Sequence, residues 1–383
     1  MKPQLQSIST DLQTSPSADA EGVDIGWEPP VPGKRRSLSN WKDYMAIASR
    51  LVGRFHGQLS LQHFDYQHPT HLQPATPRRL KQPYPVSVAY TDWGPADAPV
   101  LLCCGGVANV AMRFSFLASD LCDRYRVICM DWLGRGRSGW LAAEADYSLP
   151  TYAEQLRQMI DHLGGRPVTV LGSSMGGSAA IEMMASAPGL VERLILNDVG
   201  PHIPARRRRR RAETIARHYV FRNPSDLLRK LGAAHKNDGP VSDDIRFNLT
   251  FHQTRWSDEE GGRVYRHDVR AMQAYRRDAQ RSLLQWPQWR QVDCPVLLIH
   301  GLQSDALYAS TMRRMQRGKR LSILYIPDTG HAPLLADRNQ IWFIRQWLLG
   351  DGTPQAEISV LHASPRQAYP GSPIPFAPLS ALR

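Results

Sequence analysis

Long apolar runs are missing from this sequence of 383 residues. No stretch approaches the roughly 20 apolar residues that cross a bilayer as a helix. The segment Met1–Gly22 also lacks the apolar centre of a signal peptide. We therefore expect a cytoplasmic protein without a membrane span.

Cysteine is scarce, and its spacing matches no metal-binding pattern. The five cysteines form an odd number, and most stand inside apolar runs, which predicts buried reduced thiols rather than disulfides. The sequence therefore predicts no metal site. The cysteines are Cys103, Cys104, Cys122, Cys129 and Cys294.

Acidic residues are too few to balance the basic ones, and the formal net charge is +12. The excess is concentrated in residues 202–290, which hold 20 Arg and Lys against 10 Asp and Glu and include six consecutive arginines, Arg206–Arg211. Such a run is typical of a solvated helix face or a mobile segment. Attraction of anionic substrates or of an anionic membrane surface remains an alternative. No zinc module, RNP-like segment or helix-turn-helix spacing supports nucleic-acid binding.

Composition marks the outer segments of the chain. Residues 1–38 are rich in Ser, Pro and Gln and show no period, and residues 351–383 contain six prolines, so both are predicted to be disordered. Residues 39–82 are predicted as a helical extension followed by a polar linker, because apolar residues between Trp41 and Phe55 recur at helical spacing. The histidines in and near this linker, His56, His63, His68 and His71, have no metal-site spacing.

Strand-like and helix-like segments alternate through the middle of the chain. Continuous apolar runs such as Val100–Cys104 and Val168–Leu171 are typical of strands that are covered on both faces. The alternation predicts an α/β fold with a mostly parallel sheet and helices on both faces. Residues 83–201 form its first part and residues 291–350 its second. Residues 202–290 lack a clear strand pair and are predicted as an inserted basic helical cap.

The segment Val168–Ala187 carries the main chemical signal. Its strand stops at Gly172, and Gly172-Ser173-Ser174-Met175-Gly176 fits the G-x-S-x-G turn that leads into a helix. Such a turn presents its central serine as a nucleophile, which makes Ser174 the candidate. Ser173 is less suitable because Leu171 stands two residues before it.

A nucleophilic serine requires a base and a carboxylate that orients the base. His331 follows the last core strand in Asp328-Thr329-Gly330-His331, and Asp305 follows the strand before it. The order Ser174, Asp305, His331 is the order expected of this architecture. We therefore predict these three as the catalytic residues.

The oxyanion needs two backbone donors. The N–H of Met175, directly after the nucleophile, is the first predicted donor. The second is assigned to Gly106 in the Gly105-Gly106-Val107 loop, with Val107 as the alternative register.

These motifs together resemble a capped serine hydrolase of the α/β-hydrolase fold superfamily, in its esterase-like branch with a G-x-S-x-G elbow and a Gly330-His331-Ala332-Pro333 loop. Further matches are Asp131–Ser138 and Leu196–Pro201. The resemblance covers about residues 86–349. It implies a sheet of the eight-stranded type with an inserted cap, a Ser-His-Asp triad, and no metal or organic cofactor.

Two details of the resemblance leave alternatives open. Some members of this fold place the acid one strand earlier, which makes Asp198 a competitor of Asp305. We favour Asp305 because Asp198 belongs to the Leu196–Pro201 segment that leads into the cap. Members of the family also usually have His-Gly before the oxyanion loop, whereas this chain has Cys104-Gly105, which puts the support of that loop in question.

The predicted function is hydrolysis of a carboxylic ester or thioester through an acyl-enzyme on Ser174. Other chemistry of the fold remains an alternative, namely C–C bond hydrolysis, lactonase activity or acyl transfer. A non-enzymatic binding protein on the same fold is the third hypothesis. The expected partner is a small acyl substrate, and the basic residues allow this substrate to be anionic. The predicted basic cap also allows contact with a membrane surface. The sequence does not indicate the oligomeric state.

Overall fold

A nine-stranded sheet forms the centre of the protein. The structure is a computed structural model that describes residues 40–215, 217–234, 243–350 and 359–360. In chain order its strands are β1 Leu59–His68, β2 Tyr84–Trp93, β3 Val100–Cys104, β4 Arg126–Met130, β5 Val168–Ser173, β6 Val191–Asn197, β7 His202–Ile203, β8 Val220–Phe221, β9 Thr254–Ser257, β10 Gly262–Tyr265, β11 Leu283–Leu284, β12 Val296–Gly301, β13 Leu321–Ile326 and β14 Ser359–Val360.

The helices alternate with these strands. They are α1 Trp41–Gly53, α2 Ser115–Leu121, α3 Leu149–His162, α4 Met175–Ser186, α5 Ala205–Ile215, α6 Pro224–Ala234, α7 Asp243–Gln253, α8 Val269–Asp278, α9 Trp286–Arg290, α10 Ala309–Met315 and α11 Arg338–Leu349. Within the described ranges, none of them combines the length and the apolar character that crossing a bilayer requires.

The strand order in the central sheet is β1-β2-β4-β3-β5-β6-β12-β13-β14. Strands β1 and β2 pair antiparallel, as do β2 and β4, and the remaining pairs are parallel. This arrangement confirms the predicted α/β fold class with a mostly parallel sheet. The short β14 adds a ninth strand to the expected eight.

The buried strands have apolar side chains on both faces because a core lies on each side of the sheet. Along β3, Leu102 and Cys104 belong to one apolar cluster, whereas Leu101 and Cys103 belong to the other. This is the two-residue period of a strand between two helix layers. The sheet is thereby fixed from both sides, and its carboxyl ends are held in place for the loops that follow.

The amino-terminal part of the described chain differs from the prediction. Helix α1 begins after Asn40, whose side chain accepts a hydrogen bond from the N–H of Asp43. The stretch predicted as a polar linker contains β1, which pairs with β2 from Leu59 to His68. The linker prediction is wrong here because an edge strand keeps only part of its side chains buried and therefore carries many polar residues.

The region between β6 and β12 corresponds to the predicted cap. It holds α5, α6, α7, α8 and α9, but it also contains strand pairs that the sequence pattern did not indicate: a three-stranded sheet in the order β8-β10-β9 and a two-stranded pair of β7 with β11. The predicted disordered segments, 1–38 and 351–383, lie outside the described residues apart from β14.

Candidate active site

Ser174 occupies a strained turn between β5 and α4. Its backbone has φ 51° and ψ −114°, a conformation that non-glycine residues rarely adopt. The turn requires glycine beside it, because a Cβ on Gly176 would lie 2.3 Å from the carbonyl oxygen of Cys104, and one on Gly172 would lie 2.4 Å from the Cα of Gly177. Gly176 therefore lets the turn pack closely against β3, and Gly172 lets the end of β5 approach the start of α4.

The structure brings Ser174 and His331 together. Nε2 of His331 lies 3.0 Å from Oγ of Ser174, while Nδ1 of the same ring lies 2.8 Å from Oδ2 of Asp198. The loop of His331 is fixed by two donors to its carbonyls: Arg113 Nη2 to Ala332 at 2.7 Å and Asn197 Nδ2 to Pro333 at 2.9 Å. The imidazole is thus held between a hydroxyl and a carboxylate.

Asp198 follows β6 in a left-handed backbone conformation, with φ 54°, and is 1% exposed. Besides His331, its carboxylate receives hydrogen bonds from His300 Nδ1 at 2.7 Å, Ser304 Oγ at 2.5 Å and the N–H of Ala332 at 3.2 Å. Burial by itself would raise the pKa of Asp198, but the hydrogen bonds from the two histidines and from Ser304 outweigh it and lower this pKa to about 2. Asp198 is therefore an anion at neutral pH.

Asp305, predicted as the acid, lies elsewhere. Its half-exposed carboxylate faces the arginine run of α5, with Oδ1 2.7 Å from Arg207 Nε and Oδ2 3.3 Å from Arg210 Nη1. The prediction that Asp305 orients His331 is wrong, because the imidazole points at Asp198, the alternative weighed from the sequence. Strands β6 and β12 are neighbours in the sheet, so the loops after both reach the same region.

The loop after β3 lies beside the elbow. The N–H of Gly106, the predicted second oxyanion donor, donates instead to Asn109 Oδ1 at 2.9 Å, and the N–H of Asn109 donates back to the carbonyl of Gly106 at 3.1 Å. The alternative, Val107, lines the cavity around Ser174, as does Met175. No acceptor for the N–H of Val107 is present in the described part of the chain. The geometry therefore favours Val107 over Gly106.

Cys104 at the family's histidine position does not leave this loop unsupported. Trp132 Nε1 donates to the carbonyl of Gly105 at 2.8 Å, and Arg135 Nε donates to the carbonyl of Val107 at 2.9 Å. Arg135 also donates to the carbonyl of Leu133 at 2.8 Å and is 1% exposed. Two side chains of the segment after β4 thus hold the backbone carbonyls of this loop.

A cavity of about 520 Å³ opens above Ser174, a size in the usual range for sites that bind small molecules. Ser174, Asp198 and His331 line it at the carboxyl end of the sheet, and residues of α5, of α8 and of the stretch before β11 line it from the region between β6 and β12. Tyr275 of α8 is one of the aromatic residues that line it. The candidate catalytic residues and the arginines of α5 therefore face one cavity.

The arrangement suits acyl transfer. A neutral imidazole that donates through Nδ1 to a carboxylate presents Nε2 as an acceptor for the serine hydroxyl, which is the geometry of a base that activates a nucleophile. Across the described residues, no group of three or more His, Cys, Asp or Glu side chains is placed to hold a metal ion.

Sequence reasoning missed two partners of Asp198. His300 is the last residue but one of β12, and Ser304 lies in the loop after it. A signal was present, since both stand at the carboxyl end of the strand next to β6, where polar side chains of an α/β sheet gather. Their convergence on one carboxylate depends on three-dimensional geometry that spacing alone does not give.

Comparison with known proteins identifies the family. Residues 98–336 match the model of the alpha/beta hydrolase fold. The chain is 31% identical over 288 residues to the 3-hydroxybutyrate-oligomer hydrolase of Cupriavidus necator, which covers 69% of this chain and 93% of that protein. Among solved structures, an alpha/beta hydrolase from Novosphingobium aromaticivorans superposes with a TM-score of 0.64 at 20% identity, covering 76% of this chain and 98% of that one. An esterase from Rhodococcus sp. ECU1013 does so with a TM-score of 0.53 at 19% identity, covering 69% and 94%. The chain belongs to the alpha/beta hydrolase fold family.

Proposed function

We propose that the protein is a serine hydrolase that cleaves a carboxylic ester or thioester through an acyl-enzyme on Ser174. The observation that carries the proposal is the unbroken line of hydrogen bonds from Asp198 through His331 to Ser174, at 2.8 Å and 3.0 Å. Ser174 lines a cavity of about 520 Å³, which is large enough for a small substrate.

In the proposed reaction, His331 takes the proton of Ser174 as Oγ forms a bond to the carbonyl carbon. The tetrahedral intermediate then collapses, the bond to the leaving oxygen or sulfur breaks, and His331 returns its proton to the leaving group. Water repeats these steps on the acyl-enzyme and releases the acid. Asp198 holds the imidazole in the required tautomer and stabilises its positive charge.

The negative charge on the former carbonyl oxygen would be held by the N–H groups of Met175 and Val107. Met175 is the first residue of α4, and the N–H groups at a helix start have no partner inside the helix. Each such donor typically changes the rate by about 100- to 1,000-fold.

The similarity to a 3-hydroxybutyrate-oligomer hydrolase suggests one substrate group to test first. We propose oligoesters of short hydroxy acids, together with simple acyl esters and acyl thioesters, as the screening panel. A preference among them would define both the acyl part and the leaving group.

The direct experiment compares the purified wild-type protein with Ser174→Ala. We expect ester turnover and labelling by a fluorophosphonate probe in the wild type, with peptide fragmentation placing the label on Ser174 and not on the adjacent Ser173. The variant should lose both while keeping its thermal unfolding curve. Turnover retained by folded Ser174→Ala would refute the assignment.

The outcome also separates the other functions of this fold. Probe labelling without turnover of any ester or thioester would favour a C–C bond hydrolase, a lactonase or an acyltransferase. Absence of labelling in the folded wild-type protein would favour a binding protein in which the serine is not activated.

A further inference from the structure

The arginine run of α5 has two different faces. At about 100° of rotation per residue, Arg207, Arg208 and Arg211 fall within one arc of the helix, and all three line the cavity that contains Ser174. Arg209, in the same run, is exposed and does not line the cavity. The run is therefore more than a solvated surface, because half of it faces the candidate active site.

Helix α8 and the turn after it bring more positive charge to the same place. Arg277 and Arg281 line the cavity as well. Arg208 connects the two elements, since its Nη1 donates to the carbonyls of Asp278 at 3.0 Å and Arg281 at 2.7 Å and its Nη2 pairs with the Asp278 carboxylate. We call Arg207, Arg208, Arg211, Arg277 and Arg281 the cap arginines.

Carboxylates of the protein balance only part of this charge: Arg207 pairs with Asp305, and Arg277 pairs with Glu144. Asp198 and Asp278 are the acidic residues that line it. Asp198 already accepts from two histidines and Ser304, and Asp278 is paired with Arg208. In the described ranges, Arg281 has no carboxylate within ion-pair distance. The cavity thus carries an excess of positive charge next to the candidate nucleophile.

Three of the cap arginines act on one residue of the cavity wall, Tyr275. Tyr275 lines the cavity, and its hydroxyl lies within the electrostatic influence of Arg208, Arg211 and Arg207. Burial raises the pKa of Tyr275, and the three guanidinium groups oppose that rise by favouring the phenolate. An anionic oxygen of a ligand placed beside this hydroxyl would be stabilised by the same three cations.

Small and apolar side chains lie next to the cap arginines. Ala271, Ala274 and Leu283 share the cavity wall with them. A short hydrocarbon chain fits such a wall, while a charged group at its end would meet the guanidinium groups.

We propose that the cap arginines form an anion subsite that binds a carboxylate of the substrate. The preferred esters would then carry a carboxylate that a short apolar chain separates from the ester bond that is cleaved. The arginines of the subsite line the same cavity as Ser174 and His331. This inference rests on the proposed function of Ser174 and deepens it by naming the substrate class.

The kinetic test uses two esters of equal chain length, 4-nitrophenyl hexanoate and the mono-4-nitrophenyl ester of adipic acid, which differ in a terminal methyl or carboxylate group. We expect the wild type to prefer the adipate ester in kcat/KM, and this preference to weaken as ionic strength rises. Arg211→Gln and Arg281→Gln should each lower the ratio of the two kcat/KM values by about tenfold, as expected for loss of one charged hydrogen bond.

Arg209→Gln is the matched control. It removes the same charge from the same helix on the face that does not line the cavity, so both esters should be turned over as by the wild type. An equal fall of the ratio in Arg209→Gln and Arg211→Gln would mean that net charge alone matters, and the subsite would be refuted.

A binding measurement separates failure of the subsite from failure of the proposed function. Monomethyl adipate and methyl hexanoate are titrated into Ser174→Ala by calorimetry, where no turnover is needed. The subsite is supported if monomethyl adipate binds more tightly than methyl hexanoate and if this difference is lost when Arg211→Gln is added to Ser174→Ala. This result would hold even if the wild type cleaves neither nitrophenyl ester. Equal binding of both esters overturns the subsite, whatever the catalytic result.

Discussion

His331 and Asp198 form a hydrogen bond of 2.8 Å across 133 positions of sequence, between a loop after β13 and the residue that follows β6. The same carboxylate is held by His300 of β12 and by Ser304 from the loop after it. Three strand ends of the parallel sheet are therefore tied together at one buried anion. This network fixes the direction of the imidazole towards Ser174.

The first prediction separates the two aspartates. Asp198→Asn should lower kcat by about 10³- to 10⁴-fold, because an amide does not hold the histidine in the tautomer that accepts a proton at Nε2. Asp305→Asn should lower kcat less than about threefold, since its carboxylate contacts arginines of α5 and not His331. Steady-state kinetics on a cleaved ester provide the measurement.

The Asp305 variant also serves as the control for stability. Its ion pairs with Arg207 and Arg210 are half-exposed, and such pairs contribute at most about 1 kcal/mol to the free energy of unfolding. Urea unfolding of Asp305→Asn should therefore stay within that range of the wild type. A severe loss of kcat in Asp305→Asn, with Asp198→Asn active, would restore the assignment made from the sequence.

The difference between these two aspartates shows where sequence reasoning ends. The elbow was predictable because its glycines, its serine and the following helix are local and adjacent in the chain. The acid was not, because Asp198 and Asp305 both follow core strands and both satisfy the order of serine, acid and histidine. The choice depends on the left-handed backbone at Asp198, which directs its side chain towards the imidazole.

The edge of the sheet was missed for a similar reason. Strand β1 carries polar side chains and two histidines, since much of it faces solvent, and its pattern therefore matched a linker. Its ten residue pairs with β2 are joined through the backbone, and backbone pairing does not require a continuous apolar run. In contrast, the doubly covered strands β3 and β5 were recognisable from their continuous apolar runs.

The second prediction concerns the oxyanion loop. Asn109→Ala removes the side-chain oxygen that accepts from the N–H of Gly106 and keeps only the backbone bond of the turn. The loop that presents Val107 should loosen, and kcat/KM should fall by about tenfold. Thermal unfolding of the variant checks that the fold is kept. A faster enzyme would contradict the assignment of Val107, because it would mean that Asn109 competes with the oxyanion for the N–H of Gly106.

The third prediction is a dependence of stability on pH that originates at His252. Its imidazole is 3% exposed, and burial, reinforced by the charges of Arg137, Arg266 and Arg263, holds the pKa of His252 well below its ordinary value. The unfolded chain takes up a proton at this residue below about pH 6.5, whereas the folded protein does not. The stabilising contribution is therefore complete above pH 6.5 and is lost as the pH falls below it.

Urea unfolding at pH 7.5, 6.0 and 5.0 measures this loss. Between about pH 6.5 and pH 5, His252 alone should cost about 1.5 kcal/mol of the free energy of unfolding, and His252→Leu should remove that part of the slope. The control is His56→Gln, because solvent surrounds the exposed His56 side chain before and after unfolding. If both His252→Leu and His56→Gln keep the wild-type dependence of unfolding free energy on pH, proton uptake at His252 does not cause the loss of stability. Other buried groups must then account for it, such as His267, whose pKa is lowered by burial to about 4.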